Sequence, residues 1–243
     1  MKTVLILGAT SDIGKALAHK YASQGFQPIL AARQVERLQE AATDLEIRYK
    51  AVVNLVEFDA LAYEQHLSFY QSLPARPDVA ICVFGYLGEQ QQAQTNFDEA
   101  RRVIDSNYSG AVSILEIIAA DFEQRKAGTI IGISSVAGDR GRQSNYIYGS
   151  AKAALSTYLS GLRNRLSKAN VQVLTVKPGF VRTKMTADLP LPGPVTATPR
   201  QVAEDIFKAH QRGSNELYTL WMWRYLMLII RNIPEAIFKR LNL

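Results

Sequence analysis

A tyrosine and a lysine four residues apart have types and spacing that indicate proton-transfer chemistry. Tyr148 and Lys152 fall in a segment of helical period, and residues at i and i+4 share one face of a helix. Both side chains can therefore point toward the same ligand. A free tyrosine titrates at about pH 10, too high for a base at neutrality. A neighbouring ammonium group favours the phenolate, and a fall of roughly three pKa units corresponds to about 4 kcal/mol. We expect Lys152 to lower the pKa of Tyr148.

Two further polar residues are expected near this pair. Ser134 and Ser135 end a strongly apolar segment, and Ser135 lies 13 residues before Tyr148. A serine hydroxyl at that place can hydrogen-bond a carbonyl oxygen that receives the tyrosine proton. Asn107 falls in an earlier helical segment, where the following Tyr108-Ser-Gly110 can loosen the local hydrogen bonding.

A turn between two glycines near the N-terminus indicates a phosphate site. The sequence Gly8-Ala-Thr-Ser-Asp-Ile-Gly14 directly follows an apolar run and precedes a helical segment. In such a turn, backbone N–H groups and the positive helix end face a pyrophosphate, and the two glycines allow the tight turn and close helix packing. Asp12 replaces the usual middle glycine, and its carboxylate could cap the helix or, pointing inward, repel phosphate. Dinucleotide binding is the first interpretation, and a plain strand-to-helix connection is the second.

The end of the second apolar run indicates which dinucleotide would bind. Proteins that use NAD usually carry an acidic residue there for the ribose hydroxyls, whereas an arginine can pair with a 2′-phosphate. Arg33 occupies this place, and no Asp or Glu occurs between Gly25 and Val35. The sequence therefore predicts NADP(H) rather than NAD(H). The alternative is that Arg33 is an ordinary exposed charge at the start of a helix.

These residues require a fold that gathers them at one edge of a sheet. Short aliphatic runs alternate with longer segments of helical period, and the runs are apolar throughout, which is typical of a parallel sheet covered on both faces. We therefore predict one α/β domain with an open, doubly wound parallel sheet of about seven strands, helices on both faces and ligands at the carboxyl ends of the strands. The predicted strands are 4–7, 28–31, 49–53, 79–84, 129–133 and 171–176, and the predicted helices are 13–24, 35–45, 60–73, 97–125 and 148–166.

The composition restricts the class of protein and its partners. The 243 residues are 47% hydrophobic and 21% charged, which excludes a disordered or low-complexity chain. The single cysteine, Cys82, permits neither an intramolecular disulfide nor a thiolate zinc cluster, so we expect no metal and a reducing, cytoplasmic location. The net charge of +6 suits nucleic acid, an anionic membrane or a phosphorylated ligand. No nucleic-acid recognition motif is found, so a nucleic-acid partner is not expected.

The segment 184–199 is expected to cover a ligand. Its prolines, with Pro178 before it, exclude a regular helix or a central strand, so the segment is predicted to be a long loop. Loops of that length often close over active sites, although a proline-stiffened connector is the alternative. Thr198 and Pro199 together predict the cap and first residue of the next helix.

The C-terminal residues are richer in apolar and basic side chains than the segments before them. We predict a catalytic domain over 1–219, including the substrate loop 184–199, and an apolar, basic helical tail over 220–243 in which Pro234 begins a second helix. Aromatic, aliphatic and basic residues together suit a helix in a membrane interface or over a substrate cleft. A subunit contact and plain packing remain the alternatives. No apolar run reaches the roughly 20 residues that span a bilayer.

The motifs together resemble those of the classical short-chain dehydrogenase/reductase family, over about residues 3–219. The glycine turn, Asn107, Ser135, the Tyr148/Lys152 pair and the segment Lys177-Pro-Gly-Phe-Val-Arg-Thr183 occur in the family's order and spacing. The segment Cys82-Val-Phe-Gly85 matches the family's Asn-Asn-Ala-Gly at Gly85 alone. With Asp12, this departure marks a divergent branch.

The resemblance implies a Rossmann-like fold and roles for individual residues. Tyr148 would be the acid/base, Lys152 its pKa-lowering and ribose-binding partner, Ser135 the carbonyl orienter and Asn107 the anchor of a proton-relay water. Asp59 matches a family aspartate near the adenine ring, and Val181 and Thr183 match positions that contact the nicotinamide carboxamide. The implied cofactor-binding residues are Gly8, Thr10, Ser11, Asp12, Ile13, Gly14, Arg33, Asp59, Gly85, Tyr148, Lys152, Pro178, Gly179, Val181 and Thr183.

The activity implied is the NADP(H)-dependent interconversion of a ketone and a secondary alcohol. A homo-oligomer, dimer or tetramer, would form through the segments 97–125 and 148–166. Similar tails occur in branches that act on lipid-linked sugars or long acyl ketones, so a small or lipid-linked carbonyl compound is the expected substrate and the tail a possible peripheral membrane contact. A catalytically silent NADP-binding regulatory or scaffold protein is the rival interpretation.

Overall fold

Seven parallel strands form the main sheet, in agreement with the predicted number of about seven, although the last of them is not among the six predicted runs. The computed structural model of the chain describes residues 2–187 and 190–241. Residues 188–189 of the predicted substrate loop and 242–243 of the tail lie outside the described residues. The strands of this sheet, in chain order, are β1 (Thr3–Leu7), β2 (Gln27–Ala32), β3 (Asn54–Glu57), β4 (Val79–Cys82), β5 (Gly128–Ile133), β6 (Val171–Pro178) and, after two short strands of a second sheet, β9 (Glu216–Thr219).

The spatial order of these strands is β3-β2-β1-β4-β5-β6-β9. The order reverses its direction between β1 and β4, and ligands bind at the carboxyl ends of strands beside such a point in open α/β sheets. The predicted doubly wound parallel α/β sheet is therefore confirmed. The two short strands, β7 (Phe180–Val181) and β8 (Thr196–Ala197), pair in parallel with each other.

Helices cover both faces of the main sheet and divide the core into two layers. Successive side chains of β1 enter opposite layers, Val4 and Ile6 on one side and Leu5 and Leu7 on the other. All four are fully buried, which explains why the run is apolar at every position. The helices are α1 (Asp12–Ala22), α2 (Gln39–Tyr49), α3 (His66–Gln71), α4 (Gln90–Thr95), α5 (Phe97–Ile104), α6 (Gly110–Arg125), α7 (Tyr146–Leu166), α8 (Pro199–Gln211), α9 (Met222–Asn232) and α10 (Glu235–Phe238).

The third strand lies five residues later than the sequence predicts. The prediction of a strand over 49–53 is wrong because Tyr49 is the last residue of α2 and Lys50 ends that helix in the left-handed conformation, with φ of 55°. Val52 is 63% exposed in the connection that follows. The strand that pairs with β2 is Asn54–Glu57, at the edge of the sheet.

The helical segment predicted over 97–125 contains one π-helical turn, Asp105–Ser109, between α5 and α6. The amide of Gly110 donates to the carbonyl of Asp105, five residues earlier. A Cβ at Gly110 would collide with the carbonyl oxygen of Ala60, so only glycine allows this approach. The loosened hydrogen bonding expected beside Asn107 is therefore present, and such turns occur frequently at functional sites.

The late segment is a loop held at both ends. Its described part contains two short 3₁₀ turns, Lys184–Thr186 and Gly193–Val195, and then β8. Thr198 caps α8 and forms a capping box with Gln201, and Pro199 is the first helical residue, as predicted. In the tail, α9 is followed by Pro234 at the start of α10, also as predicted.

Candidate active site

One cavity of about 430 Å³ lies at the carboxyl ends of the central strands. It is lined from the ends of six strands, β1 to β6, because parallel strands bring their following turns to the same edge of the sheet. Gly14 and Asn107 are the predicted site residues that do not line it. The predicted residues that do are Gly8, Thr10, Ser11, Asp12, Ile13, Arg33, Asp59, Gly85, Ser135, Tyr148, Lys152, Pro178, Gly179, Val181 and Thr183.

The glycine turn is closed by Ser11 rather than by Asp12. The Ser11 hydroxyl accepts the amide of Gly14 at 3.0 Å and caps α1. Asp12 is the first residue of that helix, and its carboxylate accepts the backbone amide of Lys184 at 2.7 Å. The expectation that Asp12 could cap the helix is wrong, because Ser11 already occupies that place. The Asp12 carboxylate instead ties the turn to the loop 184–199.

The two glycines of the turn are closely packed. Gly8 has φ of +94°, and a Cβ there would lie 2.7 Å from the amide nitrogen of Phe84. A Cβ at Gly14 would lie 2.8 Å from the carbonyl oxygen of Gly8. Both places therefore exclude side chains, which keeps the turn tight and brings Thr10 and the first residues of α1, Asp12 and Ile13, to the cavity wall. Gly14 acts through this packing, which explains its absence from the cavity wall.

Two arginines stand at the outer end of the cavity. Arg33 follows β2 and is exposed, and among the described residues its guanidinium has no hydrogen-bond or ion-pair partner. Arg37, which lines the same end, donates to the Gln34 side chain at 3.0 Å. Sequence reasoning missed Arg37, although its spacing of four residues from Arg33 was a signal. The two cations together can bind a dianionic group.

Asp59 is held at the cavity by its own segment and by a buried histidine. Its carboxylate accepts the amide of Leu61 at 3.0 Å. The ring of His66 bonds the carbonyl of Asp59 at 2.9 Å through Nε2 and the hydroxyl of Ser113 at 2.8 Å through Nδ1. His66 is 1% exposed and stacks on Phe58. Sequence reasoning missed this positioning role because the contacts join separate segments.

Tyr148 and Lys152 lie on the first turns of α7, with both side chains at the cavity. The Nζ atom of Lys152 is 5.7 Å from the centroid of the Tyr148 ring and donates to the carbonyl of Ile133 at 3.0 Å. Lys152 is 4% exposed, and burial lowers its pKa from 10.5 to about 8. The lysine is therefore a buried cation at neutral pH.

The phenol of Tyr148 does not titrate as the sequence predicts. Burial raises its pKa from 10.0 to about 12, although a hydrogen bond with the Ser135 side chain acts in the opposite direction. The expected fall is wrong for this arrangement, because desolvation outweighs the hydrogen bond and the ammonium of Lys152 is directed at the carbonyl of Ile133. At neutral pH, Tyr148 is a phenol with a proton to donate.

The two serines at the end of β5 have different environments. Ser134 is 3% exposed and donates to the carbonyl of Lys152 at 2.8 Å, which fixes α7 to the strand end. Ser135 lines the cavity, and its hydroxyl oxygen accepts the amide of Ala137 at 3.1 Å. The Ser135 hydroxyl proton can therefore point toward the Tyr148 phenol, with which this side chain is hydrogen-bonded.

The side chain of Asn107 is engaged by the backbone. Its amide nitrogen donates to the carbonyls of Tyr86 at 2.6 Å and Val103 at 2.7 Å, and its oxygen accepts the amide of Tyr86 at 3.3 Å. A Cβ at Gly85 would lie 2.7 Å from that oxygen and 3.3 Å from Nζ of Lys152. Asn107 therefore holds the loop after β4 close to the lysine, and its role with a proton-relay water stays a prediction.

A buried ionic cluster, missed from the sequence, joins the loops around the site. Nζ of Lys177 lies 3.0 Å from a carboxylate oxygen of Asp139, and the hydroxyl of Tyr218 donates to the other oxygen at 2.7 Å. The side chains of Lys177 and Asp139 are 8% and 5% exposed. Asp139 follows the Ser135 turn and Lys177 precedes Pro178, so the cluster connects two walls of the cavity.

A family model described as short chain dehydrogenase matches residues 2–191. The chain belongs to this family. An uncharacterised oxidoreductase of Mycobacterium tuberculosis is 34% identical to it over 241 residues, which cover 98% of this chain and 96% of that protein. An uncharacterised oxidoreductase of Streptomyces coelicolor is 36% identical over 245 residues, which cover 99% of this chain and 96% of that protein. The resemblance found in the motifs is confirmed.

Solved structures of short-chain dehydrogenases share the fold of this one. A short-chain dehydrogenase from Sphingobium yanoikuyae, in complex with NADPH, has a TM-score of 0.82 at 24% identity, with 97% of this chain and 98% of that chain covered. A single-residue variant of the actinorhodin polyketide ketoreductase, with NADPH, has a TM-score of 0.81 at 20% identity, with 89% and 95% covered. A curated relative, the NADP-dependent 3-hydroxy acid dehydrogenase of Schizosaccharomyces pombe, is 29% identical over 249 residues, which cover 89% and 96%.

Proposed function

We propose that this short-chain dehydrogenase is an NADP(H)-dependent oxidoreductase that interconverts a ketone and a secondary alcohol. One observation carries the proposal: a single cavity has Arg33 and Arg37 at one end and Ser135, Tyr148 and Lys152 at the other. The first end suits a 2′-phosphate and the second suits proton transfer to a carbonyl oxygen. The NADP dependence of the Schizosaccharomyces pombe relative and the NADPH in two structures of the same fold support the choice of cofactor.

The lining of the cavity fits such a dinucleotide along its length. Arg33 and Arg37 would hold the 2′-phosphate, and the turn 8–14 would hold the pyrophosphate on the N-terminus of α1. Asp59 would lie by the adenine ring and Lys152 by the ribose hydroxyls of the nicotinamide end. The nicotinamide itself would be contacted by Pro178, Gly179, Val181 and Thr183.

Proton transfer in the proposed reaction belongs to Tyr148. The bound nicotinamide would supply the hydride in reduction and accept it in oxidation. The neutral phenol donates its proton to the developing alkoxide, and the hydroxyl of Ser135 hydrogen-bonds the same oxygen. The ammonium of Lys152 stabilises the phenolate that remains. Burial raises the pKa of Tyr148 to about 12, so the phenol carries the proton that reduction requires at neutral pH.

The substrate is proposed to be a long acyl ketone or a lipid-linked sugar. Trp223 of α9 packs directly on Gly179, and its indole donates to the carbonyl of Val195 at 3.0 Å. The tail thus closes over the loop 184–199, beside the nicotinamide end of the cavity, where an apolar substrate chain would leave it. This loop would act as the lid.

Assembly and location remain predictions from the sequence. We propose a homo-oligomer, dimer or tetramer, formed through α5, α6 and α7, and a cytoplasmic protein whose tail makes a peripheral membrane contact. The cytoplasmic location rests on the single cysteine, Cys82, which leaves no partner for an intramolecular disulfide.

The rival function is a silent NADP-binding scaffold, and a substrate screen separates the two. Purified protein would be mixed with NADPH or NADH and with acyl ketones of increasing chain length and keto sugars. We expect NADPH to be oxidised in equal amount to the alcohol formed, and faster than NADH. NADPH that binds without turnover of any ketone, or of the corresponding alcohols with NADP⁺, would favour the scaffold.

A further inference from the structure

The outward face of α9 is an apolar stripe. Trp221, Tyr225, Leu228 and Ile229 follow one another at intervals of four, three and one residues, which places them on one side of the helix. They are 72%, 59%, 60% and 65% exposed. Contiguous exposed apolar side chains of this size mark an interaction surface rather than ordinary surface composition.

Two further apolar residues extend the stripe beyond the first helix. Ile237 on α10 is 55% exposed and Leu241 after it is 40% exposed. We call these two residues, Trp221 at the N-cap of α9 and the three residues on that helix the tail stripe.

Unpaired cations border the tail stripe. Arg224 and Arg231, seven residues apart, lie along one side of α9, and Lys239 and Arg240 follow α10. All four are exposed, and within residues 2–187 and 190–241 none of them has an ion-pair partner. The acidic residue among them, Glu235, is already paired with Arg140 at 2.9 Å. The face therefore carries apolar and positive groups without negative ones of its own.

The opposite side of α9 is fixed to the body of the protein. Trp223 and Met227 are 5% and 0% exposed and pack with Val136, the residue after Ser135. The tail stripe faces solvent because the opposite side of α9 packs against the body of the protein.

One arginine fixes the angle between α9 and α10. Arg140 donates to the carbonyls of Ile230 at 2.6 Å and Ile233 at 2.7 Å, and its guanidinium lies 3.6 Å from the centroid of the Phe238 ring. The two helices are thereby held as one platform with a fixed outer face.

We propose that this platform docks on an anionic lipid surface. The apolar side chains would enter the boundary between headgroups and acyl chains, with the tryptophan and tyrosine at the headgroup level, and the four cations would meet lipid phosphates. A second copy of the chain fits less well, because a two-fold contact through this face would bring the same unpaired cations of both copies together. Within the described residues no helix is long and apolar enough to cross a bilayer, so docking would be peripheral.

The inference goes beyond the proposed reductase activity, and it is tested without a substrate. Full-length protein would be floated with vesicles of phosphatidylcholine, with and without phosphatidylglycerol. We expect binding to the anionic vesicles, a decrease with added salt, and about a 25-fold loss of partitioning in Arg224→Gln/Arg231→Gln, because each cation near such a surface contributes about fivefold. The matched control is Lys168→Gln/Arg212→Gln, which removes the same charge from exposed positions elsewhere.

The apolar contribution has its own pair of variants. Leu228→Gln/Ile229→Gln is expected to abolish flotation, whereas Ile47→Gln, 66% exposed on α2, is expected to leave it unchanged. Circular dichroism and light scattering accompany each variant. The proposal is overturned if wild type does not float with anionic vesicles, if the control pair loses as much binding as the tail pair, or if the stripe variant changes the oligomeric state while vesicle binding is absent throughout.

Discussion

The carboxylate of Asp12 accepts a 2.7 Å hydrogen bond from the backbone amide of Lys184, across 172 positions of the chain. The bond joins the first residue of α1, in the turn proposed for the pyrophosphate, to the first residue of the predicted substrate loop. The charge that would repel a phosphate is thereby directed at a backbone donor. The departure from the family's glycine at this place therefore has a structural reason, which is to anchor the loop.

Removing this acceptor is expected to release the loop. In Asp12→Ala, the amide of Lys184 loses an exposed hydrogen bond that contributes about 1 kcal/mol, so its hydrogen exchange should accelerate about fivefold. Asp12→Asn keeps a carbonyl oxygen and is the matched control, in which most protection remains although the charge is gone. Equal exchange in wild type and Asp12→Ala would show that the bond does not hold the loop.

The two arginines at the outer end of the cavity are expected to determine the choice of cofactor. Arg33→Ala and Arg37→Ala should each raise the KM for NADPH by about tenfold, because a charged hydrogen bond to the 2′-phosphate is lost. The KM for NADH, which lacks that phosphate, should change little. Kinetics of both variants with both cofactors test this. A parallel rise with NADPH and NADH would mean that the arginines do not read the 2′-phosphate.

The buried ammonium of Lys152 is expected to destabilise the folded chain. Its pKa is about 8 in the folded chain and 10.5, the ordinary value, in the unfolded chain. This difference corresponds to about 3 kcal/mol. The folded chain holds the proton less tightly, so the cost is complete below about pH 8 and disappears as the pH rises past 10.5. Lys152→Met should therefore raise the free energy of unfolding by up to about 3 kcal/mol at pH 7 and gain nothing near pH 11.

Urea unfolding at both pH values measures this effect, with the exposed Lys168→Met as control. If Lys152→Met raised the free energy of unfolding equally at pH 7 and pH 11, or lowered it at pH 7, the result would contradict the burial of a charged lysine. The same variant should lose reductase activity, because the phenolate of Tyr148 is left without its cation.

In the ionic cluster of Asp139, Lys177 and Tyr218, removing the carboxylate of Asp139 is expected to lower the free energy of unfolding most. Asp139→Ala leaves the buried ammonium of Lys177 with only the half-exposed carboxylate of Glu216, 3.7 Å away, and should cost about 3 kcal/mol. Tyr218→Phe removes one hydrogen bond and should cost about 1 kcal/mol. In Asp139→Leu/Lys177→Met both charges are gone, so the loss should be well below that of Asp139→Ala. Denaturant unfolding of the three variants measures these losses. A loss of unfolding free energy in Asp139→Ala that is no larger than that in Tyr218→Phe would refute the prediction.

The sequence predicts the strands that are buried on both faces and misplaces the one at the edge. Val4 and Leu5 indicate β1 because each faces a different layer of the core and both layers require apolar side chains. At the edge, Asn54–Glu57 has one neighbouring strand and no buried residue, so its sequence carries little apolar signal. The more apolar residues just before it, at 49–53, end a helix and form a connection instead.

The site shows the same division between local and distant determinants. Ser135, Tyr148 and the glycine turn could be predicted because each follows directly from a strand end or a helical spacing. The bond from Lys184 to Asp12 and the cluster around Asp139 join segments far apart in the chain, and no local pattern encodes them. The pKa of Tyr148 depends on burial, which the i, i+4 spacing from Lys152 does not report.

The central claim is that the phenol of Tyr148 transfers the proton, and Tyr148→Phe tests it most directly. The variant keeps the ring and loses the hydroxyl, so NADPH binding, followed by fluorescence titration, should be retained. With a ketone that wild type reduces, the rate of NADPH oxidation should fall by about 10²–10⁴-fold, the usual contribution of a general acid. An equal rate in wild type and variant, with NADPH bound in both, would contradict the account.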